Sequence, residues 1–515
     1  MNIPLPLFVA VPLFAAFVLP IFGKKGKSAA TFLANVVTLG LVAMAVSTLG
    51  RTGVYQIGRW PIWPIPLGIN LVLDGLSSLV LVAVTVVSAA AMLFSVRYME
   101  QYTAKSKFLC LFMLMVAGMN GVVLSGDMFN LFVFIEIASL SSYALVAFGC
   151  EAEELEASFK YMVLGQIASL FILFAVAITY AQTGFLNMAF ISQTIAVSGM
   201  SKGLYFAVAL FIVGFGLKAA LVPFHAWLPD AHPSAPAPIS AMLSGVLIKT
   251  LGVYALARVL FNVFGIFTLS DLHIEISWII IGLAILSMVT GAFLAFGQTD
   301  IKRLMAYSSV SQVGYIVLGL GLGGLIISKG LNPAWALLAI LGGLFHLINH
   351  SIYKSLLFLS SGSIQMSTGT RDMTQMGGLA NKLPVTGTTA TIASAAIAGI
   401  PPFSGFWSKL IIVIAAVQAQ YYWIGAVVVF VSLCTLIMYL KLQKNVFLGE
   451  LPENLKDITE QKGTMKISLI VLAVLCVVMG LLLLVPSLKE GVLEPAARSL
   501  ASGAEYAANV IQMAK

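Results

Sequence analysis

The sequence predicts an all-α polytopic membrane protein of about 14 transmembrane helices, and two observations carry that class. Of its 515 residues, 60% are apolar and 9% charged, 28 basic against 20 acidic. A soluble protein is roughly one-quarter charged, so this chain cannot cover a water-facing surface of matching size. The apolar residues also fall into runs of the length a bilayer core requires, roughly 20 residues per helical crossing. A soluble enzyme is excluded on those grounds.

The runs can be read in order at about residues 4–22, 28–50, 74–96, 107–124, 127–149, 158–182, 203–223, 239–262, 274–296, 303–326, 333–360, 385–416, 421–440 and 465–486. The first is expected to remain as a span, because no basic segment precedes it as in a cleaved leader. The seventh ends in Val222-Pro223-Phe224-His225. The twelfth is too long for one straight crossing and is interrupted by Gly399-Ile400-Pro401-Pro402. Consecutive prolines remove backbone donors and clash with the preceding turn, so Pro223, Pro401 and Pro402 mark helices 7 and 12 as broken. The breaks share wording and lie five spans apart. A five-helix unit must insert upside down relative to its copy, which is the inverted-repeat architecture of secondary transporters. The expected division is residues 1–106 (three helices with an external hairpin), 107–262 and 263–447 (the two repeats), and 448–515 (loop, last span and amphipathic tail).

Orientation follows from the basic loops. Numbered from an external N-terminus, the odd loops hold sixteen Lys and Arg, Lys302 among them, and the even loops eight, Arg258 among them. The positive-inside rule then places both termini outside the cytoplasmic membrane. Residues 51–73, with Trp60-Pro61-Ile62-Trp63-Pro64, read as an external hairpin at the interface.

Several chemistries are excluded. The four cysteines, Cys110, Cys150, Cys434 and Cys476, lie far apart and form no CxxC or Cys/His cluster, against iron–sulfur and structural zinc sites. There is no P-loop and no GxGxxG after a strand. The net charge of +8 reflects topology rather than nucleic-acid binding. Energy must come from an ion gradient or a partner, and neither cofactor nor metal is expected in this chain. His225 and His232 flank Asp230, but prolines interrupt that loop and no further ligands are near, so they read as auxiliary groups rather than a metal site.

Charge inside the hydrocarbon costs at least about 2.5–3.5 kcal/mol per group. Four lysines nevertheless lie well inside spans (Lys218, Lys249, Lys354 and Lys409), with Glu136 in the fifth, and His225, His232, His346 and His350 lie in or against spans. Three readings compete: buried ion pairs locking helices, a site for an anionic solute, and a proton relay. One glutamate cannot pair four lysines, whereas amines and imidazoles removed from water exchange protons near neutral pH. His346, His350 and Lys354 stand at i, i+4 and i+8, one helix face at about 6 Å intervals, which favours the relay.

The segment GFGLKAALVPFHAWLPDAHPSAPAPISAMLSGVLIKT, residues 214–250, resembles the signature of the antiporter-like proton-translocating subunits of respiratory complex I. Mrp-type Na+/H+ antiporter D subunits and the equivalent subunits of membrane-bound [NiFe] hydrogenases share it. GDMFNLFVFIEIASLSSYALVAFG (126–149), IKRLMAYSSVSQVGY (301–315) and GIPPFSGFWSKL (399–410) are further matches. The resemblance implies a proton-transfer axis of Glu136 paired with Lys218, then Lys249, His346 and His350 with Lys354 beside them, and Lys409 at the far end, where some relatives have glutamate. It also implies a multi-subunit assembly in a lipid bilayer that moves H+, with Na+ as a second candidate ion. No long lateral helix follows the last span, which disfavours one complex I subunit. The proline-rich loop after Lys218 tilts the expectation toward a hydrogenase-type or related ferredoxin-driven complex, with a stand-alone Mrp D subunit as the alternative. A non-conducting membrane scaffold and an anion carrier are the contrasting functions.

Overall fold

The structure is a computed structural model and describes residues 4–23, 26–56, 63–265, 275–483, 485 and 489–514. It is helical almost throughout. In chain order the helices are α1 Leu7–Val18, α2 Lys27–Ser47, α3 Gly75–Tyr98, α4 Lys105–Leu124, α5 Met128–Val146, α6 Ala152–Thr183, α7 Met188–Ser198, α8 Lys202–Lys218 and α9 Leu228–Ser234. They continue with α10 Ala237–Val263, α11 Ile276–Phe296, α12 Ile301–Ser328, α13 Pro333–Thr368, α14 Pro384–Ala398, α15 Ser404–Gln418, α16 Tyr422–Val446, α17 Thr464–Leu482, α18 Glu494–Ala501 and α19 Gly503–Ala514. Among the described residues, eleven helices are long and apolar enough to cross a membrane. Among the described residues each of the fourteen expected runs contains helix, and the chain is a multi-pass membrane protein.

Local chemistry sets the boundaries. Asp74 caps α3 by accepting from Ser77 N at 2.9 Å, while Ser77 Oγ accepts from Asp74 N at 2.7 Å, a reciprocal capping box. Asp127 caps α5 through Asn130 N at 2.8 Å, and Asp300 caps α12 through Arg303 N at 3.0 Å. Such caps satisfy donors that a helix start leaves without partners. α13 begins with Pro333 behind the Asn332 cap and ends at left-handed Gly369.

The twelfth run breaks as its prolines predict: α14 stops at Ala398, Gly399 turns at φ 81°, and α15 resumes at Ser404. The seventh differs from expectation. Its helix ends at Lys218 rather than reaching Pro223, the chain unwinds over residues 219–227 with Ala220 at φ 55°, and α9 follows. The left-handed turn at Ala220 ends the helix, and Trp227 Nε1 donates to the Leu217 carbonyl of its last turn at 3.0 Å.

α10 lies wholly inside the bundle. Outer helices turn large apolar groups outward, including Phe14 and Phe17 of α1, Phe32 of α2 and Leu170 of α6. That surface suits lipid or a neighbouring subunit and would be unfavourable in water.

The expected hairpin is seen in its two strands, β1 Gly53–Gln56 antiparallel to β2 Asn70–Leu73 with Gly53 opposite Leu73; residues 57–62, Trp60-Pro61-Ile62 among them, lie outside the described residues. Three basic residues assigned to loops, Lys105, Arg258 and Lys302, are instead buried. Arg258 sits inside α10 because Asp74 neutralises it through two 2.7 Å contacts. Lys302 sits under the first turn of α12 because the Ala235 carbonyl accepts from its Nζ at 2.8 Å. Helix α7 was not expected: eleven residues are too few to span, and its start rests on the Asn187 cap.

Candidate functional site

The site begins on α5, where Glu136, Ser139 and Tyr143 share a face at spacings of three and four. Gln166 Nε2 donates to Glu136 Oε2 at 3.1 Å, and Ser169 Oγ donates to Oε1. Lys218, the last residue of α8, brings Nζ to 3.6 Å from Glu136 Oε1. The same ammonium donates to Ser139 Oγ at 2.9 Å and Tyr143 Oη at 3.4 Å. The Lys218 side chain is 3% exposed and the Glu136 side chain 19%, so the carboxylate is the outer member of the pair. An aromatic stack braces it: Tyr161 lies flat on Trp227 at 4.1 Å and edge-on to Tyr143 at 4.5 Å.

The unwound segment after Lys218 presses against α10. A β-carbon at Gly252 would come within 2.5 Å of Ala219 backbone, so only glycine permits this approach. Lys249, three residues earlier, is buried in a π-helical stretch, Lys249–Tyr254, and donates to the Ser244 carbonyl. Wide π turns within α-helices frequently mark functional sites. Among the described residues no hydrogen bond joins Lys218 to Lys249.

α13 carries the next groups. The His346 and His350 rings are 6.3 Å apart, as the four-residue spacing predicts, and both are fully buried. His346 Nδ1 lies 2.9 Å from Ser408 Oγ and Nε2 lies 3.2 Å from Gln312 Oε1. Neither nitrogen of His350, nor of buried His232, has a protein partner within hydrogen-bond reach. His232 stacks on Phe358 at 4.5 Å. Lys354 turns toward α16, donating to Tyr439 Oη at 3.1 Å, which in turn lies 3.0 Å from Ser308 Oγ.

Lys409 closes the series beside the second break. Its Nζ donates to the Ile397 carbonyl at 2.8 Å and to Ser432 Oγ at 3.2 Å, and lies 5.1 Å from the Tyr315 ring centre. Tyr315 also faces His346 at 5.3 Å. Both breaks thus carry a buried lysine, Lys218 before the unwound segment and Lys409 after it.

His225 lies in the first break, 6.4 Å ring to ring from Tyr307. Asp230 turns away from both loop histidines to contact Lys160 and Arg303 at 3.2 and 3.3 Å. Pro223, Pro401 and Pro402 all fall within the unwound stretches. Sequence reading missed Gln166, Ser169, Gln312, Ser408 and Tyr439, neutral groups that hold the charged ones. Gln166 and Ser169, three apart in an apolar span, were the visible signal.

The family described as "NADH:quinone oxidoreductase/Mrp antiporter, TM" matches residues 125–435, and that described as "NADH-Ubiquinone oxidoreductase (complex I), chain 5 N-terminus" matches residues 62–109. NADH-quinone oxidoreductase subunit N of Desulforudis audaxviator (strain MP104C) is 35% identical over 87% of this chain and 86% of its own. A chain of the Mrp complex from Dietzia sp. DQ12-45-1b superposes with a TM-score of 0.86 at 29% identity, covering 98% of this chain and 99% of that one. A chain of an archaeal membrane-bound sulfane sulfur reductase superposes with a TM-score of 0.85 at 31% identity, with 98% and 99% covered. The chain belongs to the family of antiporter-like membrane subunits found in NADH:quinone oxidoreductases and Mrp antiporters.

Proposed function

We propose that this chain translocates protons as one membrane subunit of a larger complex, passing them in the membrane plane along Lys218, Lys249, His346, His350 and Lys409, with Lys354 as a side branch. The observation that carries the reading is the Glu136–Lys218 contact at 3.6 Å, with Lys218 also bonded to two hydroxyls. A pair at that separation is held strongly in a low dielectric and is still loose enough to part. When a neighbouring subunit alters the field at the more exposed Glu136, Lys218 releases its proton inward. Water bridges the remaining intervals, as it does across polar gaps of this size.

Access from the basic-loop side is supported by a cavity of about 580 Å³ whose lining includes Glu153, Glu154, Lys302 and Arg371, beside the His232 loop. The two five-helix units, 107–262 and 263–447, would stand inverted to each other, with both termini external and the cytoplasmic membrane as location. A redox module is the favoured driver, in keeping with the sulfane sulfur reductase likeness. An Mrp-type assembly exporting Na+ against H+ is the second reading, supported by the equal coverage of the Mrp chain.

The test is Lys218→Ala in the assembled complex. Pumping should be abolished, and near-normal pumping would remove the proposal. Glu136→Gln should slow turnover, and an unchanged rate would leave the pair a structural contact. Replacing Lys218, Lys249 and Lys409 together by Met separates a conductor from a scaffold, which would assemble and pump unimpaired.

A further inference from the structure

α10 carries a polar stripe that starts at Lys249 of the relay and continues through residues the relay does not use. Lys249, Tyr254, Arg258 and Asn262 follow at spacings of five, four and four. Residues five apart diverge around an α-helix, but Lys249–Tyr254 runs as π-helix, whose i to i+5 repeat returns Tyr254 to the side of Lys249. The stripe therefore leads from Lys249 to the end of α10 nearest the hairpin, opposite the basic loops.

There the Arg258 guanidinium is saturated. Nη1 and Nη2 each lie 2.7 Å from an oxygen of Asp74, Nη1 also donates to Asn262 Oδ1 at 2.9 Å, and Nε reaches Tyr254 Oη at 3.3 Å. Tyr254 Oη donates onward to the Val123 carbonyl at 2.5 Å. The side chains of Arg258 and Asp74 are 3% and 14% exposed.

The C-terminal helices sit on this pair. The buried Tyr506 ring of α19 lies 5.2 Å from the guanidinium carbon, and Asn262 Nδ2 donates to the Ser499 carbonyl of α18 at 2.7 Å. Gly75 lies so close to Pro495 that a β-carbon would meet its backbone at 2.6 Å. A cavity of about 320 Å³ opens beyond, with Asp74, Arg498, Ser499, Glu505 and Tyr506 in its wall.

We propose that the Asp74–Arg258 pair, pinned by Tyr506 of the C-terminal tail, is the gate closing the hairpin-side end of a polar route to Lys249. This inference rests on the proton-translocation reading. A guanidinium keeps its proton throughout the physiological range, so it cannot hand one on, and its charge repels cations in a narrow passage. Asp74 makes that charge tolerable in the interior by pairing with it. Opening moves the pair toward the 320 Å³ cavity, and Tyr506, in the wall of that cavity, must swing aside to allow it.

The assembled complex in proteoliposomes tests this by passive proton leak under an imposed pH gradient, read with an entrapped pH dye and no driving reaction. Tyr506→Ala should raise the leak at least fivefold, Asp74→Asn should raise it too, and Tyr506→Phe, which keeps the ring, should stay well below Tyr506→Ala. Adding Lys249→Met to Tyr506→Ala should return the leak to the wild-type level. A Tyr506→Ala complex that assembles and leaks no more than wild type overturns the gate, whether or not Asp74→Asn folds. Leak persisting in the double variant overturns the route through Lys249. If Lys218→Ala pumps normally while Tyr506→Ala still leaks, the axis fails and the gate stands.

Discussion

Lys218 lies closer to Ser139 than to its acid: Nζ is 2.9 Å from Ser139 Oγ and 3.6 Å from Glu136 Oε1. The hydroxyl thus competes with the carboxylate for the ammonium and keeps the ion pair from closing. A pair meant only to lock two helices would gain from closing, because an interior pair offsets its desolvation only with tight geometry. The open pair supports the proton hand-off proposed above.

Removing the competitor should tighten the pair and slow the hand-off. Ser139→Ala deletes one hydrogen bond, with a net value of about 1 kcal/mol, which corresponds to roughly a fivefold slower turnover. Ser139→Thr keeps the hydroxyl and should keep most of the rate. Pumping measured per assembled complex checks this, and equal rates for wild type and Ser139→Ala would refute the competition.

Gly252 is where the first break and α10 meet. A β-carbon there would lie 2.5 Å from Ala219 backbone, so valine must push that segment away. Overpacking of this kind costs about 1–3 kcal/mol, and the displacement falls between Lys218 and Lys249. The Gly252→Val complex should unfold at lower temperature in detergent and pump more slowly. A melting curve superimposable on wild type would show that the contact is softer than its distances indicate.

These cases also show where the sequence was and was not legible. Charges in oil were legible, because Glu136, Lys218, Lys249, His346, His350, Lys354 and Lys409 stand out against apolar runs by cost alone. The break at Pro401-Pro402 was legible because missing donors stop a helix. The early stop of α8 was not: a non-glycine residue, Ala220, takes the left-handed turn, and Trp227 reaches back ten residues to the Leu217 carbonyl, a contact no local preference encodes. Arg258 and Lys302 were misplaced for a related reason. Each lies near the end of an apolar run, and what buries it comes from far along the chain, Asp74 for the first and Ala235 for the second. The neutral partners Gln166, Ser169 and Gln312 carry no charge penalty to announce them. Helix α7 is too short for any span criterion, and the π turns of α10 follow from packing rather than composition.

The second break gives a prediction that ranks two substitutions, both of which remove the amine. Lys409 Nζ donates to the Ile397 carbonyl at 2.8 Å and lies 3.4 Å from that of Ala398, at the end of α14 where carbonyls lack helical partners. A cation there satisfies them and complements the negative pole of the half-helix, which is worth about 0.3–1 kcal/mol when exposed and up to ~2 kcal/mol in partly buried settings. Lys409→Met takes the donor from the Ile397 carbonyl, while that of Ala398 keeps Ser432 Oγ at 3.3 Å; the cost is about 1–3 kcal/mol, with no added repulsion. Lys409→Glu places an acceptor against acceptors, so it should melt lower than Lys409→Met unless it takes up a proton. Relatives that carry glutamate here would have to supply that proton or turn the side chain elsewhere. Thermal unfolding of the two variants at pH 8 and pH 5 decides the matter. Lys409→Glu should recover toward Lys409→Met at the lower pH, because a protonated carboxyl can donate to a carbonyl. Equal melting at both values would mean that the acid swings out of the site and that the lysine is not held by these carbonyls.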